Sequence, residues 1–309
     1  MAERRNQTPI TEFILLGFGN GPELQPLLFL VFLMIYFATV AGNILIVLLV
    51  VADRHLHTPM YYFLGNLSCL ETCYASTILP RMLASLLTGD RTISVKGCLV
   101  QLCIFGIMAA IENLLLTAMS YDRYLAICHP LHYGQLVAGA WISSFLFCTM
   151  VNIFLFQLTF CDSNEIDHFF CDFTPVVKVS CSDTRSVQLV TFIISAIVTL
   201  VPCLLTLTSY VCIITTILRI PSTRGRQKAF STCSSHLIVV IIFYGTLIAV
   251  YVAPTTNTPK VLHKLFSVFY TVLTPLINPI IYSLRNKEVK ESLRKALLKL
   301  AAVRNRHRR

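Results

Sequence analysis

Charged side chains are scarce in this chain: they make up 13% of its 309 residues, whereas apolar residues make up 55%. Soluble domains carry about 25% charged residues, so too little charge is present here to cover a large soluble core. An intrinsically disordered chain is excluded as well, because such chains are poor in apolar side chains. The composition therefore favours a protein that resides in a membrane.

Several kinds of functional motif are also missing. The sequence has no nucleophile motif, metal-ligand cluster or nucleotide-binding loop, so we expect neither an enzyme nor a metal site. The formal net charge is +10, but the basic residues form no stripe within the body of the chain of the kind that binds nucleic acid. No internal repeat is visible, which argues against a transporter built from duplicated halves. A channel or transporter would also need a polar pathway across the membrane.

What the sequence does contain is seven long apolar stretches. A membrane-spanning helix needs about 20 mostly apolar residues. The stretches lie at 27–51, 59–87, 98–119, 136–160, 187–218, 237–252 and 265–284. They are too long for strands and do not alternate with a period of two, so we predict an all-α bundle of seven transmembrane helices. The apolar stretch before them, 13–18, is too short for a cleavable signal peptide.

The distribution of basic residues predicts the orientation of the bundle. With the N-terminus outside, 16 of the 25 Lys and Arg residues face the cytoplasm, and most acidic residues lie on the other side. Asn6 begins an N-glycosylation sequon, which is useful only on the lumenal side. We therefore predict an extracellular segment over 1–26, a seven-helix bundle over 27–284 and a basic cytoplasmic tail over 285–309.

The tail contains a pattern typical of an amphipathic helix over 288–300. Val289, Leu293, Leu297 and Leu300 share one face, and lysines and arginines surround the other. A solvated charged helix is one interpretation. A basic amphipathic helix beside a span nevertheless favours contact with the anionic inner leaflet, so we expect membrane lipids as a partner.

Four of the 12 cysteines would face the oxidising side of the membrane, namely Cys98, Cys161, Cys171 and Cys181. We favour disulfides over a zinc site, because the ten-residue intervals in the loop lack the close ligand pairs of zinc modules. Four cysteines allow three pairings, and the residues alone do not choose among them.

Four motifs carry a family resemblance. They are LHTPMYYFL at 56–64, MSYDRYLAIC at 119–128, KAFSTCSSH at 228–236 and PLINPIIYSLRN at 275–286. Taken singly, an Asp-Arg pair at a membrane boundary has an ordinary explanation as a snorkelling pair. Together and in this order, over essentially the whole chain, the motifs resemble the olfactory (odorant) receptors, a family of rhodopsin-like G-protein-coupled receptors.

The resemblance implies a receptor that binds small volatile molecules within the bundle and activates a stimulatory G protein to raise cAMP. It also implies a plasma membrane location, typically in olfactory cilia. The alternative interpretation is a rhodopsin-like receptor for a non-odorant metabolite outside the nose.

By position, the resemblance also assigns roles to individual residues. It implies an activation switch that consists of Asp122, Arg123, Tyr210, Asn278, Pro279 and Tyr282. It pairs Cys98 with Cys181, which leaves Cys161 and Cys171 as the remaining pair.

The implied ligand cavity lies between the outer halves of spans three, five, six and seven. Its expected lining is Phe105, Gly106, Ala109, Ala110, Ile194, Val198, Tyr244, Leu247, Ile248, Tyr251 and Thr271. This lining contains no carboxylate, so it suits small, weakly polar molecules and disfavours amines. Each of these residues taken singly is also compatible with ordinary helix packing.

Two carboxylates, Glu71 and Glu112, fall within apolar stretches. A charged Asp at the centre of a membrane helix costs about 2.5–3.5 kcal/mol on insertion scales, so such groups need a partner, a proton or water. One interpretation is a protonated polar network that joins helices through Asn43, Ser120 or Asn278. The other is a switch linked to a sodium ion or a proton; no further cofactor is expected. The resembled family usually has Asp where this chain has Glu71.

The chain departs from the resembled family just before the fourth span. After His132 and Tyr133 the family continues with a basic segment, whereas this chain passes through only Gly134 and Gln135 before its apolar stretch begins at Leu136. About two or three helical turns of residues are absent. Our hypothesis is that this shortened second cytoplasmic loop impairs coupling to the G protein while the fold is kept.

Overall fold

The structure is a computed structural model of the chain, and it describes residues 10–18, 23–125, 133–161, 163–251 and 260–307. Its helices are α1 (Gln25–Ala52), α2 (Pro59–Thr88), α3 (Val95–Leu125), α4 (Tyr133–Leu155), α5 (Phe173–Lys178), α6 (Arg185–Leu218), α7 (Thr223–Tyr251), α8 (Lys260–Val268), α9 (Thr274–Arg285) and α10 (Lys287–His307). A π-helical turn joins α8 to α9, so these two helices form one continuous span.

The helices confirm the predicted seven-span architecture. Among the described residues, five helices are long and apolar enough to cross a membrane, and α7 is a sixth when its two segments, bent by 46°, are taken together. The seventh is α2, which is 30 residues long and packs between α1 and α3. The spans are therefore α1, α2, α3, α4, α6, α7 and the continuous α8–α9.

Several helix ends differ from the apolar stretches that predicted them. Helix α3 continues to Leu125 although its stretch ends at 119, and α8 begins at Lys260 although its stretch begins at 265. The fourth stretch runs to 160, but α4 ends at Leu155, because the chain then turns and Phe160 forms an isolated β-bridge with Ser180. In the sixth, α7 begins at Thr223, well before the apolar stretch at 237. An apolar stretch marks only the part of a helix that lies in lipid. A helix that continues beyond the membrane with polar side chains therefore begins before its apolar stretch.

A three-stranded sheet lies at the end of the bundle that carries the N-terminal segment, and we call this end the sheet face. The strands are β1 (Glu12–Leu15), β2 (Thr92–Ser94) and β3 (Glu165–Ile166), in the order β2-β1-β3. The central strand β1 is antiparallel to β2 and parallel to β3. The sheet therefore ties the N-terminal segment to the α2–α3 loop and the α4–α6 loop, which sequence patterns did not predict.

The opposite end of the bundle, which we call the tail face, carries α10. The hydroxyl of Tyr61 in α2 donates a hydrogen bond to Oδ1 of Asn286, just before α10, at 3.0 Å. Asp53, after α1, accepts hydrogen bonds from the backbone amide of His55 and the hydroxyl of Ser292, and these bonds lower the pKa of its carboxyl below the usual value. Polar contacts on both sides thus hold the start of α10 against the bundle.

A close contact between α1 and the last span shows how a proline is accommodated in the bundle. Pro279 lacks an amide hydrogen, so it cannot donate to the carbonyl of Pro275 one turn earlier in α9. Asn43 of α1 supplies the missing donor, since its Nδ2 lies 3.1 Å from that carbonyl oxygen. Gly42 permits this approach, because a Cβ at that position would lie 3.2 Å from Cβ of Pro279.

Candidate functional site

Two disulfides fix the α4–α6 loop over the sheet face, and they correct the expected pairing. Cys171 is bonded to Cys98 of α3, with Cα atoms 5.5 Å apart, and Cys161 is bonded to Cys181, with Cα atoms 6.0 Å apart. The pairing of Cys98 with Cys181, and of Cys161 with Cys171, is therefore wrong. Cys171 is fully buried against α3, whereas the exposed Cys181 donates its amide hydrogen to the carbonyl of Thr159 in the segment that follows α4.

Gln101 of α3 supports the same loop beside the buried disulfide. Its Oε1 accepts a hydrogen bond from the backbone amide of Cys171 at 3.0 Å, and its Nε2 donates to the carbonyl of Thr77 in α2 at 2.9 Å. The side chain is buried, so both bonds are shielded from water. Sequence reasoning missed Gln101, although an isolated amide within an apolar stretch indicates such a bridging role.

Phe105 lies at the centre of an aromatic cluster beneath the loop. Its ring centroid is 5.0 Å from that of Phe170 in the loop, 5.1 Å from that of Tyr74 in α2 and 5.9 Å from that of Tyr270 in the π-helical turn. These spacings are those of favourable aromatic pairs. The cluster joins two spans, the loop and the last span around one residue of the expected ligand cavity.

Asn113 of α3 connects three spans below this cluster. Its Nδ2 donates to the carbonyl of Val198 in α6 at 2.8 Å, and its Oδ1 accepts from the hydroxyl of Tyr244 in α7 at 2.6 Å. The carbonyl of Val198 needs an outside donor, because Pro202 one turn later has no amide hydrogen. The structure thus brings Val198 and Tyr244 of the expected lining together through a residue that sequence reasoning missed. An asparagine in an apolar stretch, together with a proline in another span, is the signal that indicates such a pair.

The other expected lining residues fall into three groups. Ala110 is buried, and Ala109, Ile194 and Leu247 are half-buried. Two members face other partners: Thr271 donates its hydroxyl to the carbonyl of Ser267 at 2.7 Å, and a Cβ on Gly106 would lie 3.8 Å from Sγ of Cys148 in α4. Gly106 is therefore at the α3–α4 contact rather than between spans three, five, six and seven. The side chains of Ile248 and Tyr251 lie outside the described residues.

Glu71 and Glu112 are both buried in the middle of the bundle. Oε1 of Glu71 accepts a hydrogen bond from Nδ2 of Asn278. Asn43 lies close enough to interact with the Glu71 carboxyl, but its Nδ2 donates to the carbonyls of Thr39 and Pro275. Ser120 takes no part in this network, because its hydroxyl donates to the carbonyl of Leu116 in its own helix at 3.0 Å. Among the described residues, Oε1 of Glu112 has no hydrogen-bond partner.

A second junction connects α6 and α7 near the tail face. The hydroxyl of Tyr210 and Nδ1 of His236 are joined by a hydrogen bond of 2.6 Å, and both side chains are buried. His236 ends the KAFSTCSSH motif, so this contact gives the motif a structural role that the sequence did not indicate. Arg123 lies within electrostatic range of Tyr210, His236 and the buried Tyr282.

The expected ionic pair of the switch has a different form. Asp122 and Arg123 make no ion pair within 4.0 Å in the part of the chain that the structure describes. Neighbouring residues of a helix do not face each other, so Asp122 is turned into the bundle while Arg123 approaches α6 and α7. The two side chains therefore make different contacts, although Arg123 remains close enough to interact electrostatically with Asp122.

The Asn113 junction can be tested by comparing a variant that removes both of its bonds with one that removes only the bond to Tyr244. We expect Asn113→Leu to lower the free energy of unfolding by about 2–4 kcal/mol, because it removes the donor to the carbonyl of Val198 and the acceptor of the Tyr244 hydroxyl. The control Tyr244→Phe removes one donor and should cost about 1 kcal/mol. Thermal unfolding of the purified protein in detergent measures both. Equal losses for the two variants would contradict the proposed bridge to Val198.

Known proteins that are similar to this chain are olfactory receptors. The family model described as olfactory receptor matches residues 32–300. Human Olfactory receptor 11A1 is 50% identical over 301 residues, which cover 94% of this chain and 95% of that protein. Human Olfactory receptor 1C1 is 45% identical over 306 residues, which cover 96% of this chain and 98% of that protein.

The crystal structure of squid rhodopsin shares the fold. It matches with a TM-score of 0.66 over 91% of this chain and 87% of that chain, at 16% sequence identity. The family match, the relatives and the shared seven-span bundle confirm the resemblance seen in the four motifs. The chain belongs to the olfactory receptor family and is a multi-pass membrane protein of the G-protein-coupled receptor class, a class of signalling receptors rather than enzymes.

Proposed function

We propose that the protein binds small volatile molecules between spans three, five, six and seven and then activates a stimulatory G protein, which raises cAMP. The observation that carries this proposal is the Asn113 junction, where α3, α6 and α7 meet at one buried side chain. A ligand that contacts Tyr244 acts directly on a bond shared with α3. Binding can therefore shift the relative positions of the spans if the ligand prefers one arrangement over the other.

The polarity of the region supports a weakly polar ligand. The expected lining residues that the structure describes include apolar and aromatic side chains, and none is charged. The aromatic cluster around Phe105 adds surface suited to small apolar molecules. A cationic amine would find no carboxylate partner in this set.

The signal then needs a route to the tail face. The Tyr210–His236 bond holds α6 to α7 there, beside Arg123. In the proposed mechanism, movement of α7 breaks this bond and frees Arg123 and Tyr210 to contact the G protein. Asn278, Pro279 and Tyr282 lie in the last span, so they can transmit a change in α9 to the same region.

The proposed orientation places the sheet face outside and the tail face in the cytoplasm, in the plasma membrane of olfactory cilia. The basic residues of the tail support it. In α10, Val289 is buried against the bundle, while Leu297 and Leu298 are exposed, which suits contact with the inner leaflet. Glycosylation at Asn6 belongs to the same proposal, although Asn6 lies outside the described residues.

We also propose that a sodium ion or a proton acts at Glu71 and Glu112. Two buried carboxyls within electrostatic range of each other, one with an oxygen that lacks a hydrogen-bond partner among the described residues, are suited to share a cation or to hold protons. Unfolding temperatures in sodium chloride and in choline chloride test the ion, with Glu112→Gln as the variant that should abolish any difference. Identical temperatures in the two salts would exclude sodium.

The shortened loop after α3 is the remaining part of the proposal. Most of it, 126–132, lies outside the described residues, and α4 begins directly afterwards at Tyr133. If this loop limits coupling, insertion of a basic segment of family length should increase odorant-evoked cAMP at equal surface expression. No increase would contradict the hypothesis.

A panel of volatile molecules, applied to cells with surface staining and a cAMP readout, tests the function as a whole. We expect Ala109→Phe to abolish the response to an active odorant while surface staining stays normal, because the half-buried Ala109 leaves room that a phenyl ring would fill. Arg185→Gln, on the sheet face away from the cavity, is the control. Responses to non-volatile metabolites alone would favour the alternative receptor function.

A further inference from the structure

A second crevice lies at the sheet face, apart from the proposed odorant cavity. It has a volume of about 110 Å³ and opens between the N-terminal segment, the start of α1 and the end of α2. Its apolar wall includes Phe18, Leu24, Met82, Leu86 and Phe169. The space is far larger than the ~10–15 Å³ that one water molecule needs, so a small organic group fits.

Two arginines lie at the rim of this crevice. Arg81 hydrogen-bonds the carbonyl of Thr92 and lies 3.9 Å from the exposed carboxylate of Asp90. Arg91 donates to the carbonyl of Leu16 at 3.3 Å, and it has no carboxylate partner among the described residues. Each guanidinium has five N–H donors, so donors remain for a ligand. The rim therefore has two positive charges and one negative charge.

The apolar wall and the cationic rim together define a chemical class. A guanidinium binds a carboxylate through two parallel hydrogen bonds, and the apolar side chains behind it favour an aliphatic chain. The exposed Leu24 and Leu27, at the start of the first span, indicate that the crevice opens near the membrane surface. An amphiphile that partitions into the membrane can enter from that side.

We propose that this crevice is an accessory site for a free medium-chain carboxylate, whose head group binds Arg91 and Arg81 and whose chain lies along Met82 and Leu86. The site is distinct from the odorant cavity, and its existence does not depend on which odorant the receptor detects.

A chain of ring contacts, the first stacked and the other two tilted, connects the two sites. Phe18 stacks on Phe169 with centroids 5.0 Å apart, Phe169 contacts Phe170 at 5.0 Å, and Phe170 contacts Phe105 at 5.0 Å. Occupation of the crevice fixes Phe18 and Phe169, and thereby the loop that covers the odorant cavity. A bound carboxylate should therefore change the sensitivity to odorants as well as the stability of the sheet face.

Octanoate is the probe, with octanol as the neutral analogue of the same chain length. Binding is measured on the purified full-length receptor in nanodiscs of zwitterionic lipid, by saturation-transfer NMR and by the shift in unfolding temperature. We expect octanol to bind at least about tenfold more weakly, and Arg91→Gln to weaken octanoate by a similar factor, because each removes a charged hydrogen bond. Ser85→Phe, which fills the crevice without changing its charge, should also weaken octanoate binding.

Two control variants distinguish binding in this crevice from binding elsewhere on the receptor. Arg185→Gln changes the charge of the sheet face by the same amount at an exposed position outside the crevice, and it should leave octanoate binding unchanged. Ala109→Phe, which fills the odorant cavity and leaves the crevice intact, should change octanoate binding much less than Arg91→Gln does. Equal binding of octanol and octanoate, or loss of octanoate binding in Ala109→Phe alone, would overturn the proposal. Protection by an anionic phospholipid but not by octanoate would overturn it too.

Discussion

Replacing Cys171 with Ser is expected to remove most of the receptor from the cell surface, at least about tenfold more than replacing Cys181 with Ser. The Cys98–Cys171 bond closes a loop of 73 residues and the Cys161–Cys181 bond one of 20. On chain entropy alone, the disulfide that closes the longer loop stabilises the fold by about 4 kcal/mol, and the one that closes the shorter loop by about 3 kcal/mol. Burial increases the difference, because Cys98 and Cys171 are completely buried next to Gln101.

Double variants show which cysteines are bonded to each other. If Cys98 is bonded to Cys171, the double variant Cys98→Ser, Cys171→Ser should lose no more surface receptor than either single variant. The matched control is Cys98→Ser, Cys181→Ser, which breaks both bonds and should lose more than either single variant. Flow cytometry with an N-terminal tag measures each. The opposite ranking of the two double variants would restore the pairing of Cys98 with Cys181.

The second large effect concerns the buried contact between Glu71 and Asn278. We expect Asn278→Leu to lower the free energy of unfolding by about 3 kcal/mol, because it leaves a fully buried carboxyl without the amide that donates to it. Replacing both partners with Leu should recover most of this loss, since an apolar pair leaves no unsatisfied polar group.

A double-mutant cycle measures this coupling. The variants Glu71→Leu, Asn278→Leu and the double variant should give an interaction energy of about 1–3 kcal/mol. Asn66→Leu is the matched control, because its amide donates to the carbonyl of Tyr62 within its own helix at 2.9 Å and reaches no other span. Additive losses at Glu71 and Asn278 would show that the contact does not stabilise the bundle.

The spans were predictable because lipid imposes a simple rule on sequence. A helix immersed in hydrocarbon must be apolar over its whole immersed length, so α1 and α6 match their apolar stretches within two residues. The start of α7 was not predictable in this way, because residues 223–236 are mostly polar and leave no apolar signal, although Ser235 and His236 are buried within the bundle. An apolar stretch therefore predicts which part of a helix lies in lipid. It does not predict where the helix begins.

Contacts between distant residues were predictable only in part. Glu71, Asn43 and Asn278 were expected to meet, because buried polar groups in a membrane need partners and few are available. The predicted disulfide pairing was wrong, because three loop cysteines at ten-residue intervals give no indication of which one lies against Cys98 in α3. The prediction for Gly106 was wrong for a related reason. Its position in the sequence gives its depth along α3, but the packing of α4 determines which side of α3 faces the cavity.

The two proline positions have a consequence for how this sequence can diverge. Pro202 and Asn113, and likewise Pro279 and Asn43, each depend on the other through a single backbone carbonyl. Loss of a proline would restore the helical hydrogen bond and leave its asparagine with a redundant amide, whereas loss of an asparagine would expose a carbonyl that nothing in its own helix can satisfy. The order of substitution therefore matters. A lineage can lose the proline first at little cost, whereas loss of the asparagine first passes through an unstable intermediate, so an asparagine without its proline should be more frequent than a proline without its asparagine.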